Sequence, residues 1–290
     1  MTGCYLPRRP PTADECVVRG MRTHLTRWAG HDPQPIVLLH GFMDTGDTFQ
    51  FLVDALPDGY SFVAPDWRGF GRSGWPTEGY WFQDYFGDLD ALLDGLSLAG
   101  PVTLVGHSMG GNVLSWFAVR YPDRLERAVL VDAATGPAST GGGSGLVGGL
   151  LRLPNVRRIG QLVLRTQLDE ARMAEILRSA YADPSRVTEE TLAGYVAPLQ
   201  TVDWDLGLLA ILRDSGDNDV DTPIGEVLDV PTAIIWGRED PWIPLSSGEA
   251  LRDALPGAEW HIIDDAGHLP MEEQPAAFND ILIAWLESTR

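Results

Sequence analysis

Short apolar runs bounded by turn residues recur along this chain, and they alternate with stretches whose apolar residues fall at helical spacing. Ile36–Leu39, Ser61–Ala64, Val102–Val105, Ala128–Val131, Thr232–Trp236 and Trp260–Ile263 are mainly apolar without a polar residue at every second position. Strands buried on both faces have that pattern. Phe82, Tyr85, Phe86, Leu89, Leu92, Leu93 and Leu96 share one helical face, as do Val113, Leu114, Trp116 and Phe117. Phe49, Leu52, Val53 and Leu56 predict a further helix, and Phe278, Ile281, Leu282, Trp285 and Leu286 a C-terminal one. Cys16–Trp28 reads as a hairpin turning at Arg19-Gly20, after an extended, proline-rich lead-in over residues 1–14. Strands that alternate with helices predict an α/β protein: a mostly parallel sheet with helices on both faces. Reactive residues in such sheets gather at the carboxyl ends of the strands.

The rhythm breaks between about Ala134 and Gly225. No strand pattern occurs there; a glycine-rich opening, Gly141–Gly149, leads into helical spacing such as Met173, Ile176 and Leu177. An insertion between two strands at the carboxyl side would lie over that edge of the sheet as a helical cap. Two glycine patterns are decoys for dinucleotide binding. Gly69-x-Gly71-x-x-Gly74 runs into Trp75-Pro76 rather than a helix, and no strand leads into Gly143-x-Gly145-x-x-Gly148.

Composition narrows the chemistry. The 290 residues can bury a large core, and the 44% apolar share excludes general disorder. The formal net charge of −20 disfavours nucleic acid and anionic membrane surfaces as partners. The chain contains no lysine, which removes Schiff-base chemistry and the Walker lysine. Its two cysteines, Cys4 and Cys16, cannot build a disulfide framework or a cysteine-rich metal site. No run of about 18 apolar residues occurs, and Arg8-Arg9-Pro10-Pro11 is unlike a secretion signal, so a cytoplasmic location is expected. Monomer and homodimer both remain open.

The candidate chemistry centres on Leu104-Val105-Gly106-His107-Ser108-Met109-Gly110-Gly111. A strand passes through Gly-x-Ser-x-Gly into a helix, a turn so sharp that side chains at the flanking positions would collide. Ser108 needs a base to take its proton, and the base needs an orienting acid. Of six histidines, His24 and His31 lie in the hairpin region and His261 within a strand. His40 is expected to hydrogen-bond backbone after the first core strand, and the side chain of His107 to point away from Ser108. His268 follows the last strand, in Asp264-Asp265-Ala266-Gly267-His268-Leu269-Pro270, and is the expected base. Asp240, in Gly237-Arg238-Glu239-Asp240-Pro241, is the expected acid, with Asp132 at the end of another strand as the second choice. Backbone N–H groups of Phe42 and Met109 are the expected oxyanion donors. Phe42, Met109, Trp242 and Leu269 are candidate walls for a small-molecule pocket. This chemistry calls for no cofactor and no metal.

His40-Gly41-Phe42, Asp66 to Ser73, Gly106 to Gly111, Gly237 to Pro241 and Gly267-His268 together resemble the α/β-hydrolase superfamily, and its capped serine hydrolases in particular. The order nucleophile, acid, histidine fits that fold. The resemblance implies core segments at 1–134 and 226–290, a helical cap at 135–225, and cleavage of a small hydrophobic ester through an acyl-serine. Ser108 departs from the aspartate of epoxide hydrolases and haloalkane dehalogenases. Phe42-Met43-Asp44 replaces the Gly-Pro-Gly-like residues of meta-cleavage hydrolases, which leaves carbon–carbon bond hydrolysis as an alternative. A ligand-binding receptor on the same scaffold is a further one.

Overall fold

The apolar runs pair into one eight-stranded sheet because each can bury both of its faces. In the computed structural model, which describes residues 11–55, 59–135, 154–214 and 228–290, strands β1 (Thr12–Val18) and β2 (Met21–Trp28) form the hairpin. Its turn residues Arg19 and Gly20 both have positive φ, 47° and 82°, the twist that suits a two-residue hairpin turn. The strand therefore begins within the stretch read as a lead-in; residues 1–10 lie outside the described residues. Strands β3 (Ile36–Leu39), β4 (Phe62–Pro65), β5 (Val102–His107), β6 (Leu125–Val131), β7 (Thr232–Gly237) and β8 (Glu259–Ile263) follow. The spatial order is β1-β2-β4-β3-β5-β6-β7-β8. Only the pairings of β2 are antiparallel.

Side chains alternate across the sheet, as a pleated strand requires. Val37, Leu39, Leu104, Leu130 and Ile234 enter one hydrophobic cluster; Ile36, Leu38, Val105, Val129 and Ile235 enter the other. The helices α1 (Gln50–Ala55), α2 (Phe82–Gly95) and α3 (Met109–Arg120) flank the first half of the sheet. Among the described residues, four α-helices run between β6 and β7: α4 (Pro154–Gln167), α5 (Glu170–Ala180), α6 (Glu189–Val196) and α7 (Trp204–Asp214). Helix α8 (Leu245–Ala254) joins β7 to β8, and α9 (Pro270–Glu273) and α10 (Pro275–Ser288) close the chain. The first cluster holds Leu89, Val113, Phe117 and Leu251 from α2, α3 and α8; the second holds Leu52, Phe278, Leu282 and Trp285 from α1 and α10.

Among the described residues no strand interrupts the segment between β6 and β7. Its helices share the core: Leu177 and Ala180 of α5 belong to the second cluster, Ala210 and Ile211 of α7 to the first. The glycine-rich stretch Gly141–Gly149 and the second glycine decoy lie outside the described residues, as do most residues at the proposed cap boundaries. Gly69 and Gly71 of the first decoy have φ of 72° and 54°, and they shape the turn after β4. No helix among the described residues is long and apolar enough to cross a membrane.

Candidate active site

Five loops at the carboxyl rim carry the candidate chemistry, and backbone strain concentrates there. Of seven non-glycine residues with positive φ among those described, four (Met43, Ser108, Asp132 and Asp265) follow β3, β5, β6 and β8. Such conformations are costly and persist where surrounding bonds enforce them. Ser108 sits at φ 50°, ψ −116°. Its N–H donates to the Val131 carbonyl at 2.9 Å, and its own carbonyl accepts from Gly111 at 3.0 Å and Ala134 at 3.0 Å. Glycine is obligatory on both sides of this elbow. A Cβ on Gly106 would lie 2.6 Å from the Gly110 carbonyl oxygen, and one on Gly111 would lie 2.6 Å from the Ala133 Cβ.

The three expected residues converge. His268 Nε2 is 2.9 Å from Ser108 Oγ, and His268 Nδ1 is 2.7 Å from Asp240 Oδ2. The other oxygen of Asp240 accepts from the Trp242 and Ile243 N–H groups at 2.8 and 2.9 Å. Those two donors hold the carboxylate in place and leave Oδ2 for the imidazole. His268 itself is braced from the inserted helices: its N–H donates to the Ala180 carbonyl at 2.8 Å. Glu273 accepts from Gly267 N–H and from Ala182 N–H, each at 2.7 Å, and so ties the histidine loop to the end of α5.

The remaining candidates divide. Neither the Phe42 nor the Met109 N–H has a hydrogen-bond acceptor among the described residues, and Met109 stands at the N-terminus of α3. The Trp242 ring lies 5.1 Å from that of His268 and is half-exposed. Leu269 is different: at 4% exposure it belongs to the second core cluster, a packing role that the sequence did not separate from a pocket wall. A cavity that none of the four lines opens between the loops after β3 and β4 and the inserted helices. Met43, Asp44, Phe70, Tyr195, Trp204 and Leu208 are among its walls. No single-strand pattern could reveal it, because its two sides come from segments far apart in the chain.

Two further histidines, His40 and His107, are structural. His40 is fully buried; its Nδ1 donates to the Gly41 carbonyl at 2.8 Å and its Nε2 accepts from Trp67 N–H at 2.9 Å. Those bonds join the loops after β3 and β4 and require a neutral ring. Burial lowers its pKa to about 4. From the usual histidine value downward, the unfolded chain binds a proton that the native His40 does not, so stability present above pH 6.5 is lost as pH falls toward 4. Between pH 7 and pH 5 this withdraws about 2 kcal/mol. The stability gap between wild type and His40→Gln, measured by urea unfolding, is expected to change by that amount over the same interval; a gap independent of pH would contradict it.

His107 makes a contact that the sequence did not foretell: its Nε2 donates to the His268 carbonyl at 2.7 Å, and the two rings are 4.9 Å apart. Burial, with His268 beside it, drives its pKa well below the ordinary value, which keeps it neutral. Its position inside the Gly-x-Ser-x-Gly motif gave the only sequence signal.

Asp132, Asp240 and His268 each present a donor atom within 4.8 Å of the others, a spacing that could suit a metal ion. Both oxygens of Asp240 and both ring nitrogens of His268 are already engaged with protein groups. The arrangement is therefore a hydrogen-bonded relay from carboxylate to hydroxyl.

The family model described as the alpha/beta hydrolase fold matches residues 34–275. The chain is an alpha/beta hydrolase. It is 30% identical over 297 residues to an uncharacterised protein of Mycobacterium tuberculosis, covering 97% of this chain and 82% of that one. It is 27% identical to the 2-hydroxy-6-oxononadienedioate/2-hydroxy-6-oxononatrienedioate hydrolase of Cupriavidus pinatubonensis, over 89% of this chain and 88% of that one. Among solved structures, a thermophilic esterase from Thermogutta terrifontis superposes with a TM-score of 0.78 at 25% identity, covering 96% of this chain and 99% of the esterase. In this hydrolase the relay occupies the rim that the fold exposes to ligands.

Proposed function

We propose that this alpha/beta hydrolase is a serine hydrolase that cleaves a small hydrophobic ester through an acyl-serine. The observation that carries the reading is the unbroken chain of hydrogen bonds from Asp240 through His268 to Ser108, at 2.7 and 2.9 Å. In this reading His268 takes the hydroxyl proton as Ser108 attacks the carbonyl carbon. Asp240 holds the ring in the tautomer that leaves Nε2 free to accept, and stabilises the imidazolium that forms. The N–H groups of Phe42 and Met109 receive the charge that develops on the carbonyl oxygen. His268 then gives the proton to the departing alcohol, and a water molecule, deprotonated by the same ring, releases the acid. The helices between β6 and β7 act as a cap, residues 135–225, that shields the acyl group from water.

A series of p-nitrophenyl esters of increasing acyl length, assayed with a Ser108→Ala control, tests the reading. Turnover is expected for short to medium acyl chains and is expected to vanish in the control. The likeness to the Cupriavidus hydrolase supports a second reading, carbon–carbon bond hydrolysis with the same three residues. Turnover of a vinylogous diketone without ester turnover would establish that reading instead. Failure of a fluorophosphonate probe to label Ser108 would overturn both.

A further inference from the structure

Asp132 is a buried carboxyl that the proposed mechanism does not use. It directly follows β6 with φ 40° and is fully buried. Its N–H donates to the Ile235 carbonyl at 3.0 Å, and its Oδ1 accepts from Gly237 N–H at 2.9 Å. Its Oδ2 has no hydrogen-bond partner among the described residues. Yet an Asp132 oxygen lies within 4.8 Å of both an Asp240 oxygen and an imidazole nitrogen of His268. Two carboxylates this close and this dry cannot both be charged. Three donors stabilise a charge on Asp240, and one stabilises a charge on Asp132. Asp240 therefore holds the anion. Burial, reinforced by the charge on Asp240, pushes the Asp132 carboxyl well above the usual range and leaves it neutral.

We propose that Asp132 is a positioning residue in reserve: the two carboxyls share one negative charge, and Asp132 takes it over when Asp240 is lost, so that His268 keeps an anionic neighbour. The proposal rests on the assignment of Ser108 and His268 above. The titratable groups around Asp132 are Asp240 on the loop after β7, His268 on the loop before α9, and Glu273 on α9. Glu273 is committed to Ala182 and Gly267, which leaves Asp132 as the carboxyl near enough to serve the imidazole.

The test compares Asp240→Ala with the double variant Asp240→Ala/Asp132→Asn, using ester turnover across pH. Both lose the same loop bonds to Trp242 and Ile243, so their ratio isolates Asp132. The Asp132→Asn exchange keeps an acceptor for Gly237 N–H, so the fold is retained. Asp240→Ala is expected to keep roughly 10- to 100-fold more kcat/KM than the double variant. The acidic limb of its pH profile is expected to lie at higher pH than that of the double variant, because a nearby anion raises the imidazole pKa. A purely structural Asp132 would not move that limb. Asp132→Asn alone is expected to lower kcat/KM by less than about tenfold, because asparagine mimics a neutral carboxyl. Equal rates and equal limbs in the two Asp240→Ala backgrounds would overturn the proposal, as would a single Asp132→Asn as damaging as Asp240→Ala. Fluorophosphonate labelling of wild-type Ser108 separates these outcomes from failure of the serine-hydrolase reading itself.

Discussion

Ser108→Ala is expected to lower kcat by about 10⁴- to 10⁶-fold while leaving the fold intact. The substitution deletes one oxygen. Among the described residues that oxygen makes a single hydrogen bond, to His268 Nε2 at 2.9 Å, and the residue keeps its Cβ and its φ of 50°. Stability should therefore change by no more than about 1 kcal/mol. The catalytic loss is large because a positioned hydroxyl, an oriented base and the oxyanion donors act as a unit. Without the nucleophile, only the donors and substrate binding remain to favour direct attack by water. Two measurements check the result: single-turnover kinetics on the best p-nitrophenyl ester, and the melting temperature of the same preparation. Activity within tenfold of wild type would mean that another group carries the chemistry. A collapse in melting temperature would mean that the elbow, rather than the nucleophile, had been disturbed.

The sequence disclosed the parts of this molecule whose cause is local. Continuous apolar runs announce strands buried on both faces, and Gly106, Gly110 and Gly111 announce an elbow too crowded for side chains. Ser108, Asp240 and His268 can be nominated because each follows a strand, and parallel topology brings strand ends to one rim. What stays hidden depends on contacts between distant segments. The His107 ring meets the carbonyl of a residue 161 positions away. Glu273 looks like one more acid in an acidic chain until its two N–H partners show it bracing the histidine loop against α5. The half-buried Glu272 accepts hydrogen bonds from Thr48, Tyr181 and Tyr195, thereby joining the loop after β3, the inserted helices and α9. Leu269 reads from sequence only as an apolar residue beside the expected base; that it packs into the second core cluster depends on helices elsewhere in the chain.

Gly110→Ala is expected to destabilise the protein by about 3–5 kcal/mol or to prevent folding, although it replaces glycine inside a helix. By intrinsic propensity alone it should help, because alanine is preferred to glycine in a helix by about 1 kcal/mol. Sterics decide the sign. A Cβ at this position would sit 2.6 Å from the carbonyl carbon of Leu39 and 2.8 Å from the carbonyl oxygen of His40, and closer still to the Leu39 carbonyl oxygen. All of these are backbone atoms at the end of β3. They cannot rotate aside, because Leu39 pairs with Gly106 in the sheet and the His40 side chain is bonded to Gly41 and Trp67. Helix α3 would have to move away from β3. That movement would also part Met109 from Phe42, the two residues assigned to the oxyanion site. Gly194→Ala is the matching control. Gly194 lies in α6, and a Cβ there would meet nothing within 4 Å, so the same exchange is expected to stabilise by up to about 1 kcal/mol. Urea unfolding of both variants tests the contrast. A folded, active Gly110→Ala enzyme would show that the elbow tolerates a wider gap between α3 and β3, and the steric account of its glycines would fail with it.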